Sequence, residues 1–320
     1  MKITGIVCEY NPFHNGHLYH LKKTRENGAT HIVAVMSGNY VQRGDTAVMD
    51  KFERAKLAVK GGADLVIEIP TVYALSSAEF YAKGAIYILD SLGCVDEISF
   101  GSEAGSVSEL EKAAEIADEC SGAPELEEYL KSGMSYPNAI NTMIYSSYGK
   151  KLSNRISDIL ASPNNVLAVE YLKALRRLNS SITPFTIQRK SAAHDSMTVL
   201  DGISSASYIR KCMNEKSDFS GLVPAYVSQA YINAYSAGKT ADISNLERII
   251  IYKLRTSSPE ELREIPDVGQ GLEYRILAAA DKNNLDEIFM SIKTKRYTMA
   301  RIKRILLNML IGVKKSDLET

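Results

Sequence analysis

Three of the five histidines in the chain lie in one short segment, NPFHNGHLYHL, which runs from residue 11 to residue 21. His14, His17 and His20 are spaced three residues apart, and Gly16 stands between the first two. Side chains at this spacing share one face of a helix. Such a cluster could bind a metal ion, could bind the phosphates of a ligand, or could pack in the core.

A zinc site fits this segment poorly. Zinc needs a third cysteine, histidine or carboxylate ligand, and the HExxH pattern also places a glutamate base between its histidines. The residues between these histidines are Asn15, Gly16, Leu18 and Tyr19, so no nearby acid completes a set. We therefore predict that the protein's own side chains hold no metal ion here.

A phosphate site fits His14 and His17 best. The apolar stretch ITGIVCEY predicts a strand, and a helix would then begin at the histidines. A helix N-terminus presents unpaired N–H groups and a positive dipole end, and Gly16 would let a phosphate approach the backbone. Two imidazole N–H donors beside the phosphate oxygens would stabilise the negative charge that grows on these oxygens during adenylyl transfer. Core packing remains a fair interpretation of His20.

The elements that must position these histidines alternate between strand and helix. Further strands are predicted at HIVAVMS, DLVIEIP, VDEISFGSE and SITPFTIQR, with helices between most of them. Nearly continuous apolar strands indicate a parallel sheet covered on both faces. We predict an α/β fold with a Rossmann-like parallel sheet over residues 1–215, followed by an α-helical domain over residues 216–320.

The composition excludes several classes of protein. Lysine plus arginine number 38 and aspartate plus glutamate number 38, so the chain is no general polyanion binder and any basic patch must be local. No apolar run approaches the roughly 20 residues that cross a bilayer. The four cysteines form no CxxC pair, which is typical of reduced thiols. We expect a cytoplasmic protein with no membrane partner.

Two further segments carry polar residues that could bind ligands. The loop MSGNYVQRGD follows the second strand, where ligands of open parallel sheets bind. Its Ser37, Asn39, Gln42 and Arg43 suit a small carboxylate and a base edge, although an ordinary polar loop is the alternative. Lys51 opens the next helix, where a basic group opposes the helix dipole, so an anionic partner would explain it.

The segment KTKRYTMARIKR at residues 293–304 holds six basic residues and no acidic one. A basic helix face is often only solvated. In a chain with no net charge, however, this local excess favours contacts with an RNA backbone. The predicted RNA contacts are Lys293, Lys295, Arg296, Arg301, Lys303 and Arg304.

The HNGH segment resembles the HxGH signature of the nucleotidylyltransferase superfamily, which shares its α/β fold with class I aminoacyl-tRNA synthetases. The second signature of that superfamily, I-S-[ST]-x-x-x-I-[RK], is similar to ISSASYIRK at residues 203–211. In the superfamily this later segment binds the β- and γ-phosphates. The two motifs stand in the expected order, so the resemblance implies a sheet of the HUP or nucleotidylyltransferase type.

Longer segments are similar to the bacterial tRNA(Met) cytidine acetate ligases: GIVCEYNPFHNGHLYHL, VAVMSGNYVQRGDTAVMDKFERAKLAVKGGADLVIEIP, SSAEFYAKGAIYIL, ISFGSE, SPNNVLAVEYLKAL and RYTMARIKRILL. The resemblance implies that ATP and acetate form acetyl-adenylate and release pyrophosphate. The acetyl group would then pass to N4 of the wobble cytidine of elongator tRNA(Met). It also implies Mg²⁺ on the phosphates and a tRNA-binding role for the helical domain.

The same resemblance implies roles for individual residues. Charge at the reacting phosphate would be stabilised by His14, His17, Lys51 and Arg210. The implied ATP contacts are Gly5, Ile6, Val7, Glu9, Tyr10, Asn11, Pro12, Phe13, His14, Asn15, Gly16, His17, Leu18, Gly101, Asn164, Arg189, Ser204 and Ser205. Two alternatives stay open, a small-molecule nucleotidylyltransferase and an ATP-binding, RNA-binding protein without turnover.

Overall fold

A parallel sheet of five strands forms the centre of the chain in a computed structural model that describes residues 1–134, 136–189 and 202–318. The strands are β1 Ile3–Cys8, β2 His31–Ser37, β3 Tyr40–Val41, β4 Asp45–Thr46, β5 Leu65–Ile69, β6 Glu97–Ser102 and β7 Thr183–Gln188. The sheet order is β5-β2-β1-β6-β7, and every neighbouring pair is parallel. The predicted parallel sheet is confirmed. The short strands β3 and β4 pair separately as an antiparallel hairpin.

Sixteen α-helices lie in the described residues. Nine of these precede β7: α1 Asn15–Glu26, α2 Lys51–Lys60, α3 Thr71–Ala74, α4 Ala78–Ser91, α5 Val107–Gly122, α6 Glu125–Lys131, α7 Tyr136–Tyr148, α8 Lys150–Leu160 and α9 Pro163–Arg177. Seven follow it: α10 Ala206–Asn214, α11 Ala225–Ser236, α12 Glu247–Thr256, α13 Pro259–Arg263, α14 Leu272–Ala278, α15 Leu285–Ile292 and α16 Met299–Ile311. The described part of the chain after β7 contains no further sheet strand, so the predicted helical C-terminal portion is confirmed.

Helices cover both faces of the sheet, as the apolar strands predicted. In β2, Ile32, Ala34 and Met36 pack in one core cluster, whereas Val33 and Val35 pack in the other. This alternation follows from the two-residue period of a strand. The first cluster holds side chains of α1, α2, α10 and α11, and the second holds side chains of α4, α5 and α9.

A third core cluster is built mainly from α12 to α16. Helix α11 belongs to the cluster of the sheet instead, because Val227 and Tyr231 pack there. A domain boundary after residue 215 therefore stays a prediction. Among the described helices, none combines the length and the apolar character that a membrane span requires.

Candidate active site

A cavity of about 640 Å³ lies at the carboxyl ends of β1 and β6, where an open parallel sheet places its ligands. It brings together many of the predicted site residues: Ile6, Val7, Glu9, Tyr10, Asn11, His14, His17, Gln42, Arg43, Gly101, Asn164, Arg189, Ser204, Ser205 and Arg210. The other predicted residues of the nucleotide and carboxylate sites stand outside this lining in the described part of the chain: Gly5, Pro12, Phe13, Asn15, Gly16, Leu18, Ser37, Asn39 and Lys51.

His14 and His17 form a reciprocal cap at the start of α1. His14 Nδ1 accepts the Gly16 N–H at 3.1 Å, and His17 Nδ1 accepts the His14 N–H at 3.2 Å. The two rings stack with centroids 3.6 Å apart. Because each Nδ1 is an acceptor, the proton of each neutral imidazole resides on Nε2. Each histidine therefore keeps one N–H donor for a ligand in the cavity.

This cap corrects the predicted role of Gly16. The sequence predicted an unpaired N–H at Gly16 and room there for a phosphate, but His14 takes that N–H. A Cβ added at Gly16 would lie 2.9 Å from His14 Cε1 and 3.0 Å from His14 Nδ1. The glycine therefore makes room for the imidazole of His14, and the imidazoles, not this backbone N–H, face a ligand.

Burial keeps the three histidines neutral. It lowers the pKa of His14 to about 3, assisted by the charges of Arg189 and Arg210. It lowers the pKa of His20 to about 4 and holds the pKa of His17 well below its usual value. His20 also lines the cavity and pairs through Nε2 with Ser99 Oγ at 3.0 Å. Core packing alone is therefore an incomplete interpretation of His20.

The serine-rich segment before α10 meets the histidine motif. Ser205 Oγ caps α10 by accepting the Tyr208 N–H at 3.1 Å, as its position before the helix predicted. Arg210 Nη1 donates to the Asn11 carbonyl at 2.8 Å. Asn15 Nδ2 donates to the carbonyls of Gly202, just before the serine-rich segment, and of Gly221, in a short 3-10 helix, at 3.0 Å each. Asn15 thus joins the two motifs from outside the cavity lining.

A second wall of the cavity comes from the ends of β6 and β7 and the start of α9. Arg189 Nη1 donates to Asn164 Oδ1 at 3.4 Å, and Asn164 Nδ2 donates to Glu103 Oε1 at 2.6 Å. A Cβ at Gly101 would approach Arg189 Cγ to 3.3 Å. Gly101, Asn164 and Arg189, predicted as ATP contacts from separate segments, are therefore neighbours in the fold.

In the loop after β2, some of the predicted residues line the cavity and others have structural contacts. Gln42 and Arg43 line the cavity, whereas Ser37 is fully buried. Asn39 Oδ1 accepts the Lys51 N–H at 3.0 Å, so it supports the start of α2. Lys51 Nζ lies 2.5 Å from Glu68 Oε2. The pair lies outside the cavity lining, and the role of Lys51 at the reacting phosphate stays a prediction.

The basic segment at residues 293–304 is largely occupied by internal contacts. Arg304 Nη2 lies 2.8 Å from Asp267 Oδ2, and Arg301 Nε donates to the Asp267 carbonyl at 3.1 Å. Lys303 Nζ lies 3.2 Å from Asp45 Oδ2. Arg301, Lys303 and Arg304 therefore also hold loops of the protein, and their role as RNA contacts stays a prediction.

The other three basic residues have a different environment. Lys293 and Lys295 are exposed, and the Arg296 guanidinium lies 5.9 Å from the centre of the Tyr297 ring. They stay predicted RNA contacts.

Several lining residues were absent from the sequence prediction. Tyr81, Tyr171 and Thr298 line the cavity, Tyr81 from α4, Tyr171 from α9 and Thr298 from the cap of α16. Asp45 lines it from the end of the QRGD stretch, whose charge next to Arg43 was the available signal.

Comparison with known proteins agrees with this geometry. The family model described as HIGH Nucleotidyl Transferase matches residues 1–320. A protein of Thermoanaerobacter sp. (strain X514) named tRNA(Met) cytidine acetate ligase is 44% identical over 98% of this chain and 79% of its own length. One of the same name from Acetivibrio thermocellus is 41% identical over 100% of this chain and 79% of its own. The chain belongs to the tRNA(Met) cytidine acetate ligase family.

Solved structures of this family share the fold. The crystal structure of Thermotoga maritima TmcAL in its apo form I superposes with a TM-score of 0.92 at 33% identity, covering 100% of this chain and 77% of that one. The form II crystal structure of TmcAL bound with alpha-thio ATP has a TM-score of 0.90 at 34% identity, with the same coverage. The ligase family therefore includes a structure of this fold with an ATP analogue bound.

Proposed function

We propose that the protein is an ATP-dependent ligase that activates acetate as acetyl-adenylate and transfers the acetyl group to N4 of the wobble cytidine of elongator tRNA(Met). The observation that carries the proposal is the pair of neutral imidazoles, each with its proton on Nε2, in one cavity with Arg189 and Arg210. Membership in the ligase family supplies the substrates.

In the first step an acetate oxygen attacks the α-phosphorus of ATP. The bond from that phosphorus to the bridging oxygen of pyrophosphate breaks, and pyrophosphate leaves with the electron pair. Negative charge grows on the phosphate oxygens, where the Nε2–H groups of His14 and His17 and the guanidinium of Arg210 would donate. Acetate is already ionised at neutral pH, so this step needs no base.

The remaining lining residues would position the two substrates. Gly101, Asn164 and Arg189 line one side of the cavity and would contact the nucleoside there. Gln42 and Arg43 lie on the opposite loop and suit the carboxylate of acetate. Holding both reactants in this way converts a bimolecular reaction into an effectively unimolecular one.

We propose that Mg²⁺ enters bound to ATP. It would neutralise part of the charge on the phosphates. Mg²⁺ is usually held by substrate phosphates, water and one or two carboxylates instead of an all-protein cage. The described residues form no cluster of three metal-ligating side chains, so the phosphates and water would hold the ion.

In the second step the cytidine amine attacks the acetyl carbon and AMP leaves. The exposed Lys293 and Lys295 and the half-buried Arg296 would contact the RNA backbone. A tRNA acceptor also favours the cytoplasm as the place of action.

The direct test is acetate-dependent release of pyrophosphate from ATP, followed by acetylation of tRNA(Met). We expect His17→Ala to lower the release about a hundredfold, the scale of losing one transition-state donor. His31→Ala removes an exposed histidine and serves as the matched control. Near-wild-type turnover by folded His17→Ala protein would remove the adenylylation mechanism.

A further inference from the structure

The transfer step leaves one proton without an acceptor. As the cytidine N4 forms its bond to the acetyl carbon, the nitrogen gains positive charge and must lose a proton. A general base within reach of that nitrogen would accelerate the step. The acceptor has to be a group that lines the cavity and has a free lone pair.

The histidines of the cavity are unsuited to this task. His14 and His17 use Nδ1 to accept backbone N–H groups, so the nitrogen left for a ligand carries the proton. His20 pairs through Nε2 with Ser99 Oγ at 3.0 Å, so this nitrogen is already engaged.

The tyrosines of the cavity are no better suited. Burial raises the pKa of Tyr10, Tyr81 and Tyr171, so their hydroxyl groups stay protonated.

Two carboxylates line the cavity among the described residues, and they differ in how many of their oxygens already have a hydrogen-bond or ion-pair partner. Asp45 uses both oxygens: Oδ1 accepts the Thr46 N–H at 2.9 Å, and Oδ2 pairs with Lys303 at 3.2 Å. Glu9 uses one, because Oε1 accepts the Gln42 N–H at 2.8 Å. Glu9 Oε2 accepts no hydrogen bond from any residue that the structure describes.

The position of Glu9 is fixed by its neighbours. It directly follows β1 and is half-buried, and its own carbonyl accepts a hydrogen bond from the buried Arg54. The Gln42 N–H holds Oε1, which orients the carboxylate. Glu9 lines the same cavity as His14, His17 and Arg210. Burial lowers the pKa of Arg210, and the charge of Glu9 opposes that shift. Glu9 therefore stands beside the residues that would bind the reacting phosphate.

We infer that Glu9 Oε2 is the proton acceptor for the cytidine amine in the transfer step, an inference that rests on the proposed ligase function. The N4 lone pair forms the C–N bond, the bond from the acetyl carbon to the AMP oxygen breaks, and AMP leaves with that electron pair. The N4 proton passes to Glu9 and then to water. The charge balance needs no further reactant.

The experiment compares two acceptors for the same acetyl-adenylate. Hydroxylamine is neutral and strongly nucleophilic at neutral pH, so it takes the acetyl group without a protein base and yields acetohydroxamate. The measurement is acetyl-tRNA formed at saturating tRNA, divided by acetohydroxamate formed when hydroxylamine replaces the tRNA. We expect Glu9→Gln to lower this ratio about a hundredfold, within the usual contribution of a general base. Asp45→Asn, at the occupied carboxylate, is the matched control and should leave the ratio near wild type.

If Glu9→Gln kept the wild-type ratio of acetyl-tRNA to acetohydroxamate, the inference would be overturned. If the ratio fell only in Asp45→Asn, Asp45 would be the proton acceptor instead. Failure of the proposed function itself looks different. In that case the wild-type protein forms no acetate-dependent hydroxamate, and the role of Glu9 is lost together with the function. Hydroxamate formed by Glu9→Gln also demonstrates that the variant is folded.

Discussion

At the scale of single residues, the paired histidines have two functions at once. Each Nδ1 accepts a backbone N–H at the N-terminal end of α1, and that same hydrogen bond leaves the imidazole proton on Nε2. A charged imidazole would need a proton on Nδ1 as well and would break the cap. Burial therefore acts in the same direction as the hydrogen bonds, and both keep the donors neutral.

This burial predicts how stability depends on pH. The usual pKa of 6.5 is lowered to about 3 for His14 and about 4 for His20 in the folded protein. At a pH between the ordinary pKa and these lowered pKa values, the unfolded chain binds more protons than the folded protein does. The free energy of unfolding therefore falls as the pH falls from about 6.5 towards 4. His20→Gln should reduce this slope by up to about 1.4 kcal/mol per pH unit.

Urea unfolding of the wild type and of His20→Gln between about pH 7 and about pH 5 measures the two slopes of unfolding free energy against pH. The variant changes His20 because that residue takes no part in the cap of α1. Identical slopes in wild type and His20→Gln would contradict the burial argument.

At the scale of elements, the strands were predictable and the hairpin was not. The runs around β1, β2, β5, β6 and β7 are apolar over most of their length, which gives a strong local signal. The hairpin strands β3 and β4 have two residues each, too few to show any period. Their conformation depends on contact with α16, more than 250 residues away along the chain, as the Lys303–Asp45 pair shows.

Gly44 tests this contact. It lies next to β4 with φ +75°, and a Cβ there would come within 2.5 Å of the Arg304 backbone nitrogen. Gly44→Ala therefore meets both backbone strain and a clash that no side-chain rotation relieves. Gly93 has φ +65° with nothing within 4 Å of a Cβ, so Gly93→Ala carries the strain alone.

We expect Gly93→Ala to cost about 1 kcal/mol in free energy of unfolding and Gly44→Ala at least about 1 kcal/mol more. Chemical denaturation of the two variants beside the wild type measures both values. Equal losses of unfolding free energy in the two variants would mean that the hairpin can move away from α16 without destabilising the protein.

At the scale of the whole molecule, the motifs that line the cavity were easier to recognise in the sequence than the internal contacts of the basic segment. HNGH and ISSASYIRK carry local signals, and the fold joins them through Arg210 and Asn11. The basic segment carried a signal of charge only. Its partner Asp267 is a single acid elsewhere in the chain, and no periodicity or motif reveals such a long-range pair.

Three residues of the basic segment give a specific prediction about tRNA. The combined change Lys293→Glu, Lys295→Glu and Arg296→Glu should lower acetyl transfer to tRNA far more than pyrophosphate release. For every RNA phosphate that the variant no longer binds, the log–log salt dependence of tRNA binding should become flatter by about one unit. Transfer assays at several salt concentrations, with pyrophosphate release measured in parallel, test this.

A matched control reverses the same number of charges on another surface. Suitable residues are the exposed lysines of α5 and α8: Lys112, Lys150 and Lys151. Equal loss of transfer in both triple variants would indicate a general effect of charge and would contradict a local RNA surface.

The contact between α16 and the hairpin has one more consequence, for the construction of chimeras. Arg304 Nη1 donates to the Gln42 carbonyl at 3.4 Å, and Thr298 lines the same cavity as Gln42. The sheet and the last helices therefore share a wall of one chamber. An exchange of helical portions between two relatives that cuts near residue 215 would join a hairpin from one parent to a helix from the other. A transplant that keeps the chamber intact would have to carry residues 42–45 along with α16.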